Sequence, residues 1–233
     1  MESTFKNQLL KLFTHEIRKN VLIKIASINS FAILIPIIAG FLTSKARSIF
    51  IGPEGMALVG NLRNFLSSAQ AFSTLGFSNG IVKYVSEFKN KTVELSKTVS
   101  TVFYVGIFST LVVSIYCLLD AHRLNDLIFT AKYDYTYIIR ILALALPFYA
   151  LNAFLLALIN GLSQFKKVLY INIFAQILGL IITLYLIWQN QLKGALIAVA
   201  TVESFTIIIT LVGVFNQKQI VKLINWKDLN VLT

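Results

Sequence analysis

Six apolar runs, each long enough to cross a bilayer, follow one another with little between them. They fall at about 21–43, 55–79, 98–119, 137–161, 168–189 and 194–215. A crossing helix needs about 20 such residues, since it rises about 1.5 Å per residue across about 30 Å of hydrocarbon. Inside that hydrocarbon a chain must satisfy its own backbone groups, which leaves only helices and closed barrels. Runs of this length without strict alternation predict helices rather than barrel strands. The expected fold is all-α: a polytopic membrane protein whose 233 residues form one six-helix bundle with no linker and no second domain.

Composition excludes the other classes. Hydrophobic residues make up 57% of the chain, charged residues 13%, and the mean hydropathy is +0.75. A soluble fold could not cover so much apolar surface with so few charges. Disorder requires the opposite balance. Residues 1–20 are polar and lack a short apolar core with a small-residue cleavage site, so the first run is expected to act as an uncleaved signal anchor.

The net charge of +11 fixes a topology. With the N-terminus in the cytoplasm, fourteen Lys and Arg fall in cytoplasmic segments, among them Lys83, Lys89, Lys91, Lys97, Lys166, Lys167 and Lys218. Five fall outside: Lys45, Arg47, Arg123, Lys132 and Lys193. That asymmetry predicts both termini in the cytoplasm. The basic run ends meet anionic head groups, and no nucleic-acid motif accompanies them. The outer connection 120–136, with Asp120, Asp126 and Asp134, reads as a solvated interfacial loop. The tail from Asn216 reads as an interfacial helix.

The second run is unlike the others. On a helical wheel with Asn61 at zero, Arg63, Asn64, Ser67, Ser68, Gln70, Thr74 and Ser78 fall between about 180° and 340°. Leu58, Val59, Leu62, Phe65, Leu66, Ala69, Phe72 and Phe77 fall between about 20° and 160°. One half of a membrane helix is therefore polar, and unsatisfied polar groups in lipid are costly. Arg63 lies well inside the run. An intramembrane arginine marks a functional site by default; the alternatives are snorkelling to head groups and pairing with a buried acid. The whole polar stripe favours a cavity. Glu203, midway along the sixth run, either serves proton-linked gating or coupling or remains a protonated buried carboxylate. Lys24 stands near the inner end of the first run. Pro36, with Gly40 a turn later, marks a kink and a candidate hinge. Asn172, Gln176 and Thr183, and Tyr149, Asn152 and Asn160, read as inter-helix hydrogen-bonding sets.

Nothing in the chain suggests an enzyme. Walker A, GxGxxG, GxSxG and HExxH patterns are absent, the single cysteine is Cys117, and His15 and His122 lie far apart. No cofactor and no metal are expected.

Two stretches carry a family resemblance. Ile51-Gly52-Pro53-Glu54-Gly55 precedes Asn61-Leu62-Arg63-Asn64-Phe65, and Leu75-Gly76-Phe77-Ser78-Asn79-Gly80-Ile81-Val82-Lys83-Tyr84-Val85 follows. Together they resemble the start of the Wzx-type O-antigen and enterobacterial-common-antigen flippases, within the multidrug/oligosaccharidyl-lipid/polysaccharide exporter superfamily. The resemblance is strongest from Lys24 to Lys91. It implies a carrier in the bacterial inner membrane that moves undecaprenyl-diphosphate-linked oligosaccharide from the cytoplasmic to the periplasmic leaflet, for O-antigen and other surface polysaccharides. It implies that Arg63 and Lys24 attract the diphosphate or acidic sugars, and that Asn61, Asn64 and Gln70 hydrogen-bond sugar hydroxyls. Members of that family have about twelve spans in two lobes, so six spans match the N-terminal lobe. A partner lobe, a second copy of the chain, or polysaccharide assembly proteins are the implied partners. A multidrug or ion-coupled exporter and a non-transporting remnant or scaffold are the competing readings.

Overall fold

A computed structural model describes the backbone of residues 2–130 and 132–214, with side chains described from Leu34 onward. The described residues form six helices: α1 (Glu2–Thr74), α2 (Phe77–Glu87), α3 (Thr92–Leu119), α4 (Ala121–Phe129), α5 (Thr136–Gly161) and α6 (Phe165–Val214). Among the described residues there is no strand. Four helices, α1 from Leu34, α3, α5 and α6, are long and apolar enough to cross a membrane. The chain is an all-helical, multi-pass membrane protein.

Two of the four helices are too long for one crossing. The 50 residues of α6 would extend about 75 Å, more than twice the hydrocarbon thickness. Each long helix is broken once. Gly52 (φ 65°, ψ −176°) divides α1 into limbs 2–51 and 53–74. Glycine enters that region without a Cβ clash, and Pro53 opens the second limb with a φ already suited to a first helical turn. The expected 44–54 connection is therefore a one-residue kink, with helix on both sides. Gln191 (φ 46°, ψ −118°) divides α6 into limbs 165–190 and 192–214. The limbs cross closely because Gly179 and Gly194 present no side chain. A Cβ on Gly179 would stand 2.9 Å from Val202 Cγ1, and one on Gly194 would run into the Leu186 carbonyl.

The second apolar run also departs from expectation. Its helix stops at Thr74 instead of running to Asn79, because Leu75 (φ 47°) and Gly76 (φ 69°) turn the backbone left-handed. The helix axis resumes as α2. Thr110 Oγ1 of α3 lies 3.1 Å from the Ser73 carbonyl. Thr110 is 18 residues into α3, about 27 Å from its start, so the break stands at membrane depth. α2 continues alongside α5, with Val85 pressed against Gly161.

α5 is the centre of the bundle and touches every other element. One face packs Ile138, Leu142 and Leu146 with Leu58, Leu62 and Leu66 of α1 and with α4. Further along, Phe154, Leu155 and Leu158 pack with Ile81 and Val85 of α2 and Leu95 and Val99 of α3. Side-chain hydroxyls and amides join the rods. Ser114 Oγ donates to the Ala143 carbonyl at 2.6 Å, and Ser204 Oγ to the Ala145 carbonyl at 2.8 Å. Asn152 Nδ2 donates to Thr206 Oγ1 at 2.8 Å and its Oδ1 accepts from Thr210 Oγ1 at 2.6 Å. Such bonds matter in lipid, where the hydrophobic effect no longer drives helix association. Outward faces carry Phe108, Leu119 and Val212, as lipid contact requires.

Residues 120–136 form a folded cap over the bundle, where the sequence suggested a solvated loop. α4 buries Ala121, Leu124, Asn125, Ile128 and Phe129. Asn125 is its linchpin: Nδ2 donates to the Tyr133 carbonyl at 2.9 Å, and Oδ1 accepts from the Tyr135 N–H at 2.8 Å. Tyr133 and Lys132 reach across to Glu54, just past the Gly52 kink. Asp134 accepts from the backbone N–H of Thr136 at 3.2 Å and from its hydroxyl at 2.7 Å, which holds its carboxyl below the usual range. The proposed interfacial helix from Asn216 lies outside the described residues.

Candidate functional site: a polar cleft between α1 and α6

The polar half of limb 53–74 is explained by what its apolar half does. Leu58, Val59, Leu62, Leu66 and Ala69 are all buried in the core against α4 and α5. A helix with one apolar face buried inward must turn its polar face elsewhere. Arg63, Ser67, Gln70 and Thr74, at i, i+4, i+7 and i+11, form one stripe. The first three line a cleft of about 460 Å³ between the limbs of α1 and α6.

The other walls set further polar groups among apolar ones. Limb 2–51 contributes Thr43, Ser44 and Arg47; limb 165–190 contributes Gln176 and Thr183; limb 192–214 contributes Glu203. Gln70 Nε2 donates to Glu203 Oε2 at 2.7 Å, which ties α1 to α6 across the cleft. Ser67 Oγ returns to the Arg63 carbonyl at 3.0 Å, and Thr74 Oγ1 to the Gln70 carbonyl at 2.9 Å. These hydroxyls satisfy carbonyls of their own helix.

The two arginines are different. The described ion pairs are Arg123–Asp120 at 3.6 Å and Lys132–Glu54 at 3.4 Å, both at the α4 end. Among the described residues no carboxylate lies within ion-pair distance of Arg47 or Arg63. The Nε of Arg47 is buried with no hydrogen-bond partner. The two guanidinium groups also act on one another electrostatically. Among the described residues both cations thus lack a counter-ion, which is costly in a membrane protein.

The structure brings together Arg63, Gln70 and Glu203 of the residues singled out from sequence. It does not gather the rest. Asn61 Nδ2 donates to the Ile128 carbonyl at 3.1 Å and so ties α1 to the cap. Asn64 is exposed outside the cleft, and its carbonyl accepts from Ser68 Oγ. Pro36 lines a separate hollow of about 290 Å³ with Asn160 and Asn172. The side chain of Lys24 lies outside the described residues. Ser44 and Arg47 were missed as cleft residues because 44–54 read as a connection, and Thr43 because it closed the first run. The signal was present: Gly40, Thr43, Ser44 and Arg47 continue the helical spacing of the first run. Gln176 and Thr183 read as helix-to-helix bonding groups, and they face the cleft. Among the described residues no three His, Cys, Asp or Glu side chains stand close enough to hold a metal.

Fold and site together define a multi-pass α-helical membrane protein with a basic, amide-lined cleft between helix pairs. The chain belongs to the polysaccharide biosynthesis protein family, whose model matches residues 22–229. Over 178 residues, or 75% of its length, it is 27% identical to the lipid III flippase of Escherichia coli (strain K12), and equally so to that of Shigella flexneri. The match covers 42% of each relative, so the chain spans less than half the length of these curated proteins. No solved structure matches the chain. The family assignment agrees with the expected resemblance to Wzx-type flippases.

Proposed function

We propose that this chain forms one lobe of a flippase for polyprenyl-diphosphate-linked oligosaccharide and is not an enzyme. Limb 2–51, limb 53–74 continued by α2, α3, α5, limb 165–190 and limb 192–214 are then six crossings of a bacterial inner membrane, with both termini cytoplasmic and the α4 cap outside. The observation that carries the reading is Arg47 and Arg63 in one cleft, two cations with no counter-ion among the described residues, alongside the amides of Gln70 and Gln176 and the hydroxyls of Thr43, Ser44, Ser67 and Thr183. Guanidinium groups meet diphosphate oxygens with charge-assisted bonds, and Gln70 and Gln176 suit sugar hydroxyls. The undecaprenyl carrier and an O-antigen-type glycan are the substrate this points to. Since the chain spans 42% of its relatives, a second lobe or a second copy would supply the opposite wall. An exporter of cationic drugs fits less well, because two arginines outnumber Glu203 in the cleft.

The test is direct binding of undecaprenyl diphosphate to the purified protein, with complementation of a flippase-deficient strain alongside. Charge-assisted hydrogen bonds contribute about 1.5–3 kcal/mol each, so Arg63→Gln should weaken binding roughly 10- to 100-fold. Membrane insertion should be unchanged. Undiminished binding by the Arg47→Gln/Arg63→Gln double variant would sink the proposal.

A further inference from the structure

The two ends of the bundle carry their charge differently. At the cap end cations have acids beside them: Arg123 lies 3.6 Å from Asp120, and Lys132 lies 3.4 Å from Glu54. The opposite end is built from the last turns of α2, the turn into α3, the end of α5 and the start of α6. Val85 of α2 presses on Gly161 of α5 there, and Phe88, Leu95 and Leu162 join the same apolar cluster. These segments carry six lysines: Lys83, Lys89, Lys91, Lys97, Lys166 and Lys167. Lys167 is half-buried and the others are exposed. Glu87 and Glu94 are the acids of the same segments, yet among the described residues no carboxylate lies within ion-pair distance of any of the six.

Three of these lysines also oppose their own helices. A helix N-terminus carries partial positive charge and favours acids. Lys91 is the N-cap of α3 and makes no side-chain cap bond. Lys166 and Lys167 stand in the first turn of α6, which holds no acid. Glu94 offsets part of that cost at α3.

We propose that this end docks anionic phospholipid, with head-group phosphates standing among the six lysines as the counter-ions that these segments do not supply. Position selects lipid over a soluble polyanion. The lysines stand at the ends of membrane-crossing helices, where head groups are. Exposed tyrosines of the kind that mark the membrane–water interface stand beside them. Lys83 Nζ lies 5.7 Å from the ring centroid of Tyr84, and Tyr170 follows Lys166 by one turn of α6. Head groups that meet both turns hold α2, α3 and α6 at one depth. In the topology proposed above this end is cytoplasmic, but the charge contrast does not rest on the flippase reading.

The probe is phosphatidylglycerol with a diazirine in its head group, a minor component of phosphatidylcholine vesicles that hold the full chain. Adducts are mapped by mass spectrometry. They should concentrate within 83–97 and 163–170 and exceed those around Lys45 and Lys193 at the cap end. Unlabelled phosphatidylglycerol should compete where phosphatidylcholine does not. A basic residue near an anionic surface contributes roughly fivefold in association, so Lys89→Gln/Lys91→Gln should cut labelling of 83–97 by about 10-fold or more. Lys45→Gln/Lys193→Gln should leave it unchanged. Labelling of the parent should also fall at about 1 M salt, where the Debye length is about 3 Å, a readout that needs no variant. Any of three outcomes overturns the proposal: equal labelling of the two ends, phosphatidylcholine competing as well as phosphatidylglycerol, or polyglutamate competing better than either. The last would make the surface a dock for an acidic protein.

Discussion

Gly161→Ala tests how tightly the bundle is built. Gly161 ends α5 where α2 crosses it. A Cβ there would lie 2.7 Å from Val85 Cβ, 2.9 Å from Val85 Cγ1 and 3.2 Å from the Val82 carbonyl. Neither a Cβ nor a backbone carbonyl can rotate away, so α2 itself must shift. Overpacking of a dense core costs about 1–3 kcal/mol, and these immovable neighbours place the variant in the upper half of that range. For a chain of this size each kcal/mol moves Tm by about 2–4 °C, so a fall of roughly 4–12 °C is expected. The assay is thermal unfolding of the detergent-solubilised protein. Gly60→Ala is the matched control, since nothing lies within 4 Å of its added Cβ. There the gain in helix preference should leave Tm unchanged or slightly raised. Equal stability of Gly161→Ala and the parent, or equal losses in both glycine variants, would refute the reasoning.

Four further outcomes follow from the same structure. Asn125→Leu keeps the size of the buried side chain but strands the Tyr135 N–H and Tyr133 carbonyl, at a cost of about 2 kcal/mol; hydrogen exchange should quicken across 120–136 before it does elsewhere. Leu142→Ala, at a fully buried position, should cost about 2–5 kcal/mol through the cavity it leaves, read as a lower Tm. Because the Asp134 carboxyl is held low by Thr136, its contribution is complete above the unfolded pKa, near 4, and is lost as pH falls through the lower folded value; protection of the start of α5 should fall with acid in the parent and show no such step in Asp134→Asn. Glu203→Gln removes the charge while keeping a side-chain oxygen for Gln70, so the protein's thermal stability should stay close to that of the parent, whereas Glu203→Leu, which leaves the Gln70 amide without its acceptor, should lower Tm.

Hydropathy alone made the class of the protein legible. A chain with apolar runs of this length has no route to a soluble core. The Gly52 kink could be read from Gly-Pro, and the polar half of the second run from its helical spacing. Local sequence failed where long-range packing decided the outcome. Residues 120–136 looked solvated because their charges hide Leu124, Ile128 and Phe129, which only the top of the bundle can bury. Arg47 looked like a topology marker because the first run seemed to end before it. The break at Leu75 was missed because a lone Gly76 does not by itself end a helix, and α3 hydroxyls placed opposite take up the Phe72 and Ser73 carbonyls.

Sequence by itself thus determined that the chain is a membrane helix bundle, and that one helix carries polar groups that cannot face lipid. Those are consequences of composition and period, which act within one segment. The tertiary structure decided which of those groups meet. Arg63, Gln70 and Glu203 share a cleft with Arg47, while Asn61, two residues from Arg63, ties α1 to the cap. At 100° per residue, a two-residue step turns a side chain most of the way to the opposite face of the helix. What each face then meets is fixed by the crossings at Gly179, Gly194 and Gly161, and those belong to pairs of helices, not to any one of them.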